Sequence, residues 1–136
     1  MINNNNISPS GSYGVIGTAN LTNIRIPIGQ SVSRTFPVVS GCLYHVRIPL
    51  FMCVSQDEEE SIGMGRAYGW ITLATDYVQY RSIYQLFNKT SQNNFVDVYL
   101  IASGNTLTFT MDCLNSDSPT DYVLLLQGSA ICVQLV

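Results

Sequence analysis

The amino-acid sequence predicts an all-β protein: one antiparallel β-sandwich behind a flexible N-terminal arm. Three observations carry that prediction. Apolar residues recur with a period of two, most plainly over 42–54 and 106–114. Two short Gly-containing dipeptides, Gly104-Asn105 and Gly128-Ser129, separate apolar runs at hairpin spacing. No segment reads convincingly as a helix. At 136 residues the chain is expected to be a single domain.

The elements follow in order. Residues 1–14 hold four consecutive Asn and then Ser-Pro-Ser-Gly-Ser, which cannot offset the entropy of ordering, so they are expected to form a flexible arm. The sandwich domain is expected over 15–136. In 24–28, Ile24, Ile26 and Ile28 share one phase, and Pro27 suits an edge strand. The segment 31–39 continues as extended chain. In 42–54, Cys42, Tyr44, Val46, Ile48, Leu50, Met52 and Val54 form a core face. The opposite face holds Leu43, His45, Arg47, Pro49, Phe51 and Cys53, a mixed set that suits cover by a neighbouring subunit. Segments 68–74 and 95–103 read as further strands. In 106–114, Leu107, Phe109, Met111 and Cys113 point inward. Gly104-Asn105 is expected to join a hairpin between 95–103 and 106–114, and Gly128-Ser129 a second one between "DYVLLLQ" and "AICVQLV". Segment 75–89 fits either a helix, through Tyr77, Tyr80, Tyr84 and Phe87, or a strand; middling helix formers favour the strand. Eight or nine strands result, and a jelly-roll-like sandwich accommodates them.

Composition narrows the function classes. Only 11% of residues are charged, against a typical ~25%. Lys89 is the one lysine, beside five Arg and eight Tyr. Subunit interfaces are depleted in Lys and Glu and retain Arg and Tyr, so a homo-oligomer is expected. The net charge of −3 and the absence of a basic stripe argue against nucleic acid as a partner. The longest apolar run, 48–54, is far too short for a membrane helix. The N-terminus lacks the basic and apolar regions of a signal peptide, so, absent a removed leader, synthesis in a cytoplasm is expected. Cys42, Cys53, Cys113 and Cys132 show no paired metal-ligand spacing and are expected to act as small buried hydrophobes.

No catalytic set emerges. The only histidine, His45, lies in mid-strand, where a surface or interface role is expected rather than a triad. Asp57, Glu58, Glu59 and Glu60 are adjacent and diverge, so at most one could serve a carboxylate pair. With Asp112, Asp117 and Asp121 they are the candidates for calcium, but neither group follows the EF-hand spacing. A solvated strand-connecting loop is the expectation for 57–60, with no metal and no cofactor. Tyr68 and Trp70 have the makings of a sugar-stacking platform; a core tryptophan with interface tyrosines is the preferred alternative.

The stretch "VSRTFPVVSGCLYHVRIPL" resembles the early strands of carbohydrate-binding-module-like jelly rolls. "GNTLTFTMD" and "DYVLLLQGSAICVQLV" resemble their closing strands. The chain as a whole is similar to small virion structural proteins, above all bacteriophage capsid decoration (cement) proteins. That resemblance implies a non-enzymatic homotrimer, synthesised in the host cytoplasm and placed on the outer shell, contacting the major capsid protein or another virion protein and stabilising the shell. The alternative is a carbohydrate-binding or receptor-recognition module of a phage tail or fibre. No binding motif carries over by residue. The expected contact residues are therefore the arm (Asn3, Asn4, Asn5, Asn6 and on to Ser12), the second face of the long strand (His45, Arg47, Phe51) and the Tyr-Arg segment (Tyr77, Tyr80, Arg81, Tyr84), with Tyr68 and Trp70 for the sugar alternative.

Overall fold

A computed structural model describes residues 14–56, 66–86, 91–116, 121–125 and 127–136. Residues 1–13 of the expected arm, Asn3–Asn6 included, and the acidic run Asp57–Glu60 lie outside these residues, as does Asp117, while Gly14, the last residue assigned to the arm, opens the first strand. Every described element is a strand: β1 (Gly14–Asn20), β2 (Ile24–Pro27), β3 (Ser31–Pro37), β4 (Leu43–Gln56), β5 (Ala67–Ala74), β6 (Val78–Leu86), β7 (Ser91–Ile101), β8 (Thr106–Asp112), β9 (Asn115–Ser116), β10 (Asp121–Leu125) and β11 (Ser129–Gln134). All pairings are antiparallel.

The eleven segments reduce to eight long strands. The register that pairs Asn20 with Ser129 continues unbroken to pair Ile24 with Leu125, so β1 and β2 are one interrupted strand. β10 and β11 both run antiparallel to β4 on the same flank. From Leu125 to Ile131 the chain advances six residues while β4 retreats five, from Met52 to Arg47, which is the one-residue excess of a β-bulge. β9 likewise continues β8 past a bulge, since Met111 faces Ile71 while Asn115 faces Tyr68.

The first sheet then runs β1/β2, β10/β11, β4, β7, and the second runs β3, β8/β9, β5, β6. Successive strands alternate between sheets except at the β5–β6 hairpin, and the strand orders are those of a jelly roll, as the sequence suggested. Period-two patterning builds the core. On β4, Tyr44, Val46, Ile48, Leu50 and Met52 are buried, and they meet Ile71, Leu73, Leu107, Phe109 and Met111 of the opposite sheet. Segment 75–89 contains a strand, β6. Its inward phase holds Tyr84 and Leu86, which explains why a helical spacing of tyrosines did not produce a helix: the flanking sheet buries alternate residues instead.

Both expected hairpins are corrected. β7 belongs to the first sheet and β8 to the second, so Gly104-Asn105 lies in a crossover between sheets. Asn105 is held by the neighbouring crossover: its carbonyl accepts from Val38 N at 3.1 Å and its Oδ1 from Ser40 N at 3.2 Å. Gly128-Ser129 lies within one bulged strand, not between two. The break falls beside Pro49 of β4, which cannot donate a ladder bond. Gly128 has φ +117°, and a Cβ there would sit 2.8 Å from the Pro49 ring, so a side chain is excluded on both counts. Short-range turn signals cannot tell a hairpin from a strand that breaks and resumes.

None of the four cysteines forms a disulfide. Cys113 and Cys132 are buried, as expected, while Cys42 and Cys53 are half-buried. Burial pushes the Cys132 thiol up to about 12 and raises Cys53. The end of the chain is paired: Leu135 N donates to Leu43 O at 2.8 Å, and Leu43 N to Val136 O at 3.0 Å.

Candidate functional site

The outer face of the first sheet brings His45, Arg47 and Phe51 together with a set that sequence reasoning did not single out. Their phase on β4 is opposite to the buried one. Register places Tyr99 across from His45, Asp97 across from Arg47 and Phe95 across from Pro49. His45 stacks on Tyr99, with ring centroids 4.6 Å apart and planes 10° from parallel. Its Nε2 lies 2.8 Å from Asp97 Oδ1. Arg47 Nε lies 3.6 Å from the same oxygen. The Arg47 guanidinium covers Phe95 at 4.0 Å, and Phe51 meets Phe95 edge-on at 5.2 Å.

This cluster is surface chemistry. Arg47 and Asp97 are 48% and 43% exposed, so their ion pair contributes at most about 1 kcal/mol. Around it, Val15, Phe95, Tyr99 and Ile101 are 65%, 44%, 64% and 59% exposed. An antiparallel sheet with one solvated face normally shows polar residues there. Aromatic and aliphatic side chains around an Arg instead match the composition of a binding interface. The signal for β7 was present in "FVDVYLIAS", where Phe95, Asp97, Tyr99 and Ile101 share one phase. The other phase, Val96, Val98 and Leu100, is wholly aliphatic, so Asp97 was the one signal in the pattern for which face met water.

The outer face of the second sheet carries the other candidates. Trp70 is half-buried there and not in the core, which corrects the preferred reading of a core tryptophan. Alternation along β5 sends Ala67, Gly69, Ile71 and Leu73 inward and leaves Tyr68, Trp70 and Thr72 outward. The Arg81 guanidinium lies 4.3 Å over the Trp70 ring and covers one face of it. Trp70 N donates to Asp112 Oδ1 at 2.7 Å, because the bulge after β8 shifts the ladder at this point. Gly69 allows that approach: a Cβ there would meet the Asp112 carbonyl oxygen at 1.9 Å.

The Tyr-Arg segment divides. Tyr77 is exposed in the turn before β6, and Arg81 points outward. Tyr80 is partly buried against the core. Tyr84 is buried at 3% exposure, and its hydroxyl donates to Asp112 O at 2.7 Å. As a contact residue Tyr84 is therefore corrected: the period of two turns it inward while Arg81 turns out. Burial holds its hydroxyl well above the ordinary 10.0, with Cys113 and Asp112 adding to the shift.

Among the described residues no three His, Cys, Asp or Glu side chains come together, and no helix is long and apolar enough to cross a membrane. No protein-family model matches the chain, and no curated protein matches it. Fifteen chains of solved structures do. One belongs to a protein described as a family GH115 4-O-methyl-α-glucuronidase with specificity for decorated arabinogalactans. It is similar at a TM-score of 0.49 and 9% identity, over 90% of this chain and 18% of that one. This chain thus spans under a fifth of that protein's length.

Proposed function

We propose that the chain is a non-enzymatic structural protein of a virion shell, of the capsid-decoration kind, which self-associates and docks through the outer face of the first sheet. One observation carries the reading: an exposed aromatic and aliphatic surface, Val15, Phe95, Tyr99 and Ile101, around the His45–Asp97–Arg47 cluster. Contiguous apolar surface on a small protein marks an interaction site. The scarcity of lysine supports the same reading. A jelly roll alone would not, since one fold hosts many functions.

The test has two parts. Sedimentation equilibrium should show a stable oligomer that Arg47→Glu dissociates, because the new carboxylate faces Asp97 on an exposed surface and leaves the core intact. Purified shells from the same virus should bind the protein and lose it when residues 1–12 are deleted. A strictly monomeric protein with no affinity for shells would refute the proposal.

A second reading, a carbohydrate-binding module, is favoured by the outward placement of Trp70 and Tyr68 on one face. On that reading a glycan array gives binding that Trp70→Ala abolishes. Arg81→Ala strengthens it by uncovering the ring. A blank array for the wild-type protein removes it.

A further inference from the structure

We infer that β7 is the docking edge for a second copy of this chain, the two β7 strands pairing antiparallel across a two-fold axis at Val98. The inference rests on the self-association proposed above and assigns it a specific contact.

Sheet edges carry unpaired amides and are normally guarded by bulges, prolines or cations. Three edges here are guarded. β1 has a bulge between Val15 and Gly17, and β2 carries Pro27. β3 carries Arg34 and ends at Pro37. β6 carries Arg81 and shifts register opposite Leu73 and Ala74. β7 has none of these. It runs eleven residues in unbroken register with β4, without proline, lysine or arginine, and Asp97 is its one charge. Among the described residues β4 is its only ladder partner.

The direction of its free amides follows from its end. Ala102 N donates to Cys42 O, and Ala102 O accepts from Gly41 N, so Ala102 faces the β4 side. Alternation then turns the amides of Phe95, Asp97, Tyr99 and Ile101 away from β4. Gln79 Nε2 donates to Ile101 O at 2.6 Å, which confirms the outward direction and occupies that end. The residues with open amides are the same ones whose side chains form the exposed aromatic band.

A strand edge is complementary to a reversed copy of itself, which is what an isologous dimer needs. Charge excludes one register, and the span of the outward set, Phe95 to Ile101 with its midpoint at Val98, selects another. An axis at Asp97 would place the two carboxylates opposite each other, and like charges directly across a ladder are destabilising. An axis at Val98 sets Asp97 opposite the second copy's Tyr99, where both amides and carbonyls are open. It sets Phe95 opposite the second copy's Ile101, whose carbonyl already accepts from Gln79, so the two Asp97–Tyr99 pairs carry the ladder. Each pair lies on the outer face, so the two aromatic bands join into one.

Cysteine pairing tests this register. Hydrogen-bonded antiparallel pairs have Cα atoms about 5.5 Å apart, within the roughly 4.4–6.8 Å a disulfide spans. In a Cys42→Ser, Cys53→Ser background, a mixture of Asp97→Cys and Tyr99→Cys chains should cross-link many-fold above either chain alone. A mixture of Asp97→Cys and Phe95→Cys chains should stay at background. Tyr99→Pro removes an outward N–H without touching the β4 ladder, and should give a folded monomer. If that variant does not fold, the cross-linking result decides. Equal yields in both mixtures, or a folded Tyr99→Pro protein that still dimerises, would overturn the inference. If those variants still associate while Arg47→Glu dissociates, self-association through the face survives and the edge does not. A monomeric wild-type protein sinks both.

Discussion

Asp112→Ala should unfold the protein more easily through the loss of one hydrogen bond. The bulge between β8 and β9 takes the regular ladder partner from Trp70 N, and the Asp112 carboxylate replaces it at 2.7 Å. Alanine leaves that N–H without its acceptor in a part-buried position. A hydrogen bond to a charged group contributes about 1.5–3 kcal/mol, and partial exposure places this one near the lower end, about 1.5–2 kcal/mol. The Asp112 main-chain carbonyl still accepts from Tyr84, so the loss belongs to the carboxylate. Asp112→Asn keeps an acceptor oxygen and should cost about half as much. Urea unfolding read through the single tryptophan, with circular dichroism as a second probe, measures both variants. With a urea slope of about 1–3 kcal/mol/M, the alanine midpoint should fall by about 1 M at unchanged slope. An alanine variant within about 0.5 kcal/mol of wild type, the range of neutral surface changes, would refute the reasoning. So would an asparagine variant as damaged as alanine.

Tyr84→Phe removes a buried donor from the Asp112 carbonyl and should cost about 1–1.5 kcal/mol by the same urea titration. Phe109→Ala, at a fully buried site between the sheets, should cost about 3–5 kcal/mol and abolish much of the folded population at elevated temperature, seen by calorimetry. Stability should fall in alkali. Burial raises the Cys132 thiol from 9.0 to about 12 and lifts Tyr84 above 10.0, so the unfolded chain releases these protons first. The native state then holds more protons as pH climbs above 9, and stability drops by up to about 1.4 kcal/mol per pH unit per group. Below about pH 8 these groups add no slope. Urea midpoints across that range should show the fall, and Cys132→Ala should make it shallower. Arg81→Ala should shift the Trp70 emission by uncovering the ring while changing stability by only about 0.5–1 kcal/mol.

Much of the architecture was legible from periodicity. The buried phase of β4, the inward phase of β8 and the edge position marked by Pro27 follow from a period of two and from proline's missing donor. The expected eight or nine strands correspond to eight long ones, because bulges interrupt strands without ending them. What periodicity could not give was pairing. Gly104-Asn105 and Gly128-Ser129 have hairpin chemistry, yet one crosses between sheets and the other sits inside a strand. Pairing depends on groups far away in sequence: Asn105 on Val38 and Ser40, Gly128 on Pro49.

The candidate site divides the same way. By itself the sequence determined which residues of β4 share a face, and so placed His45, Arg47 and Phe51 together opposite the core. It determined too that charge was scarce, so that exposed surface had to be built from Tyr, Thr, Ser and Arg. Only the tertiary structure brought Phe95, Asp97 and Tyr99 beside them, because the pairing of β7 with β4 joins residues about fifty apart in the chain and no local pattern encodes it. Only the tertiary structure turned Trp70 outward under Arg81 and Tyr84 inward to Asp112. A period of two sorts residues into two faces; which face meets water is decided by what packs against the other.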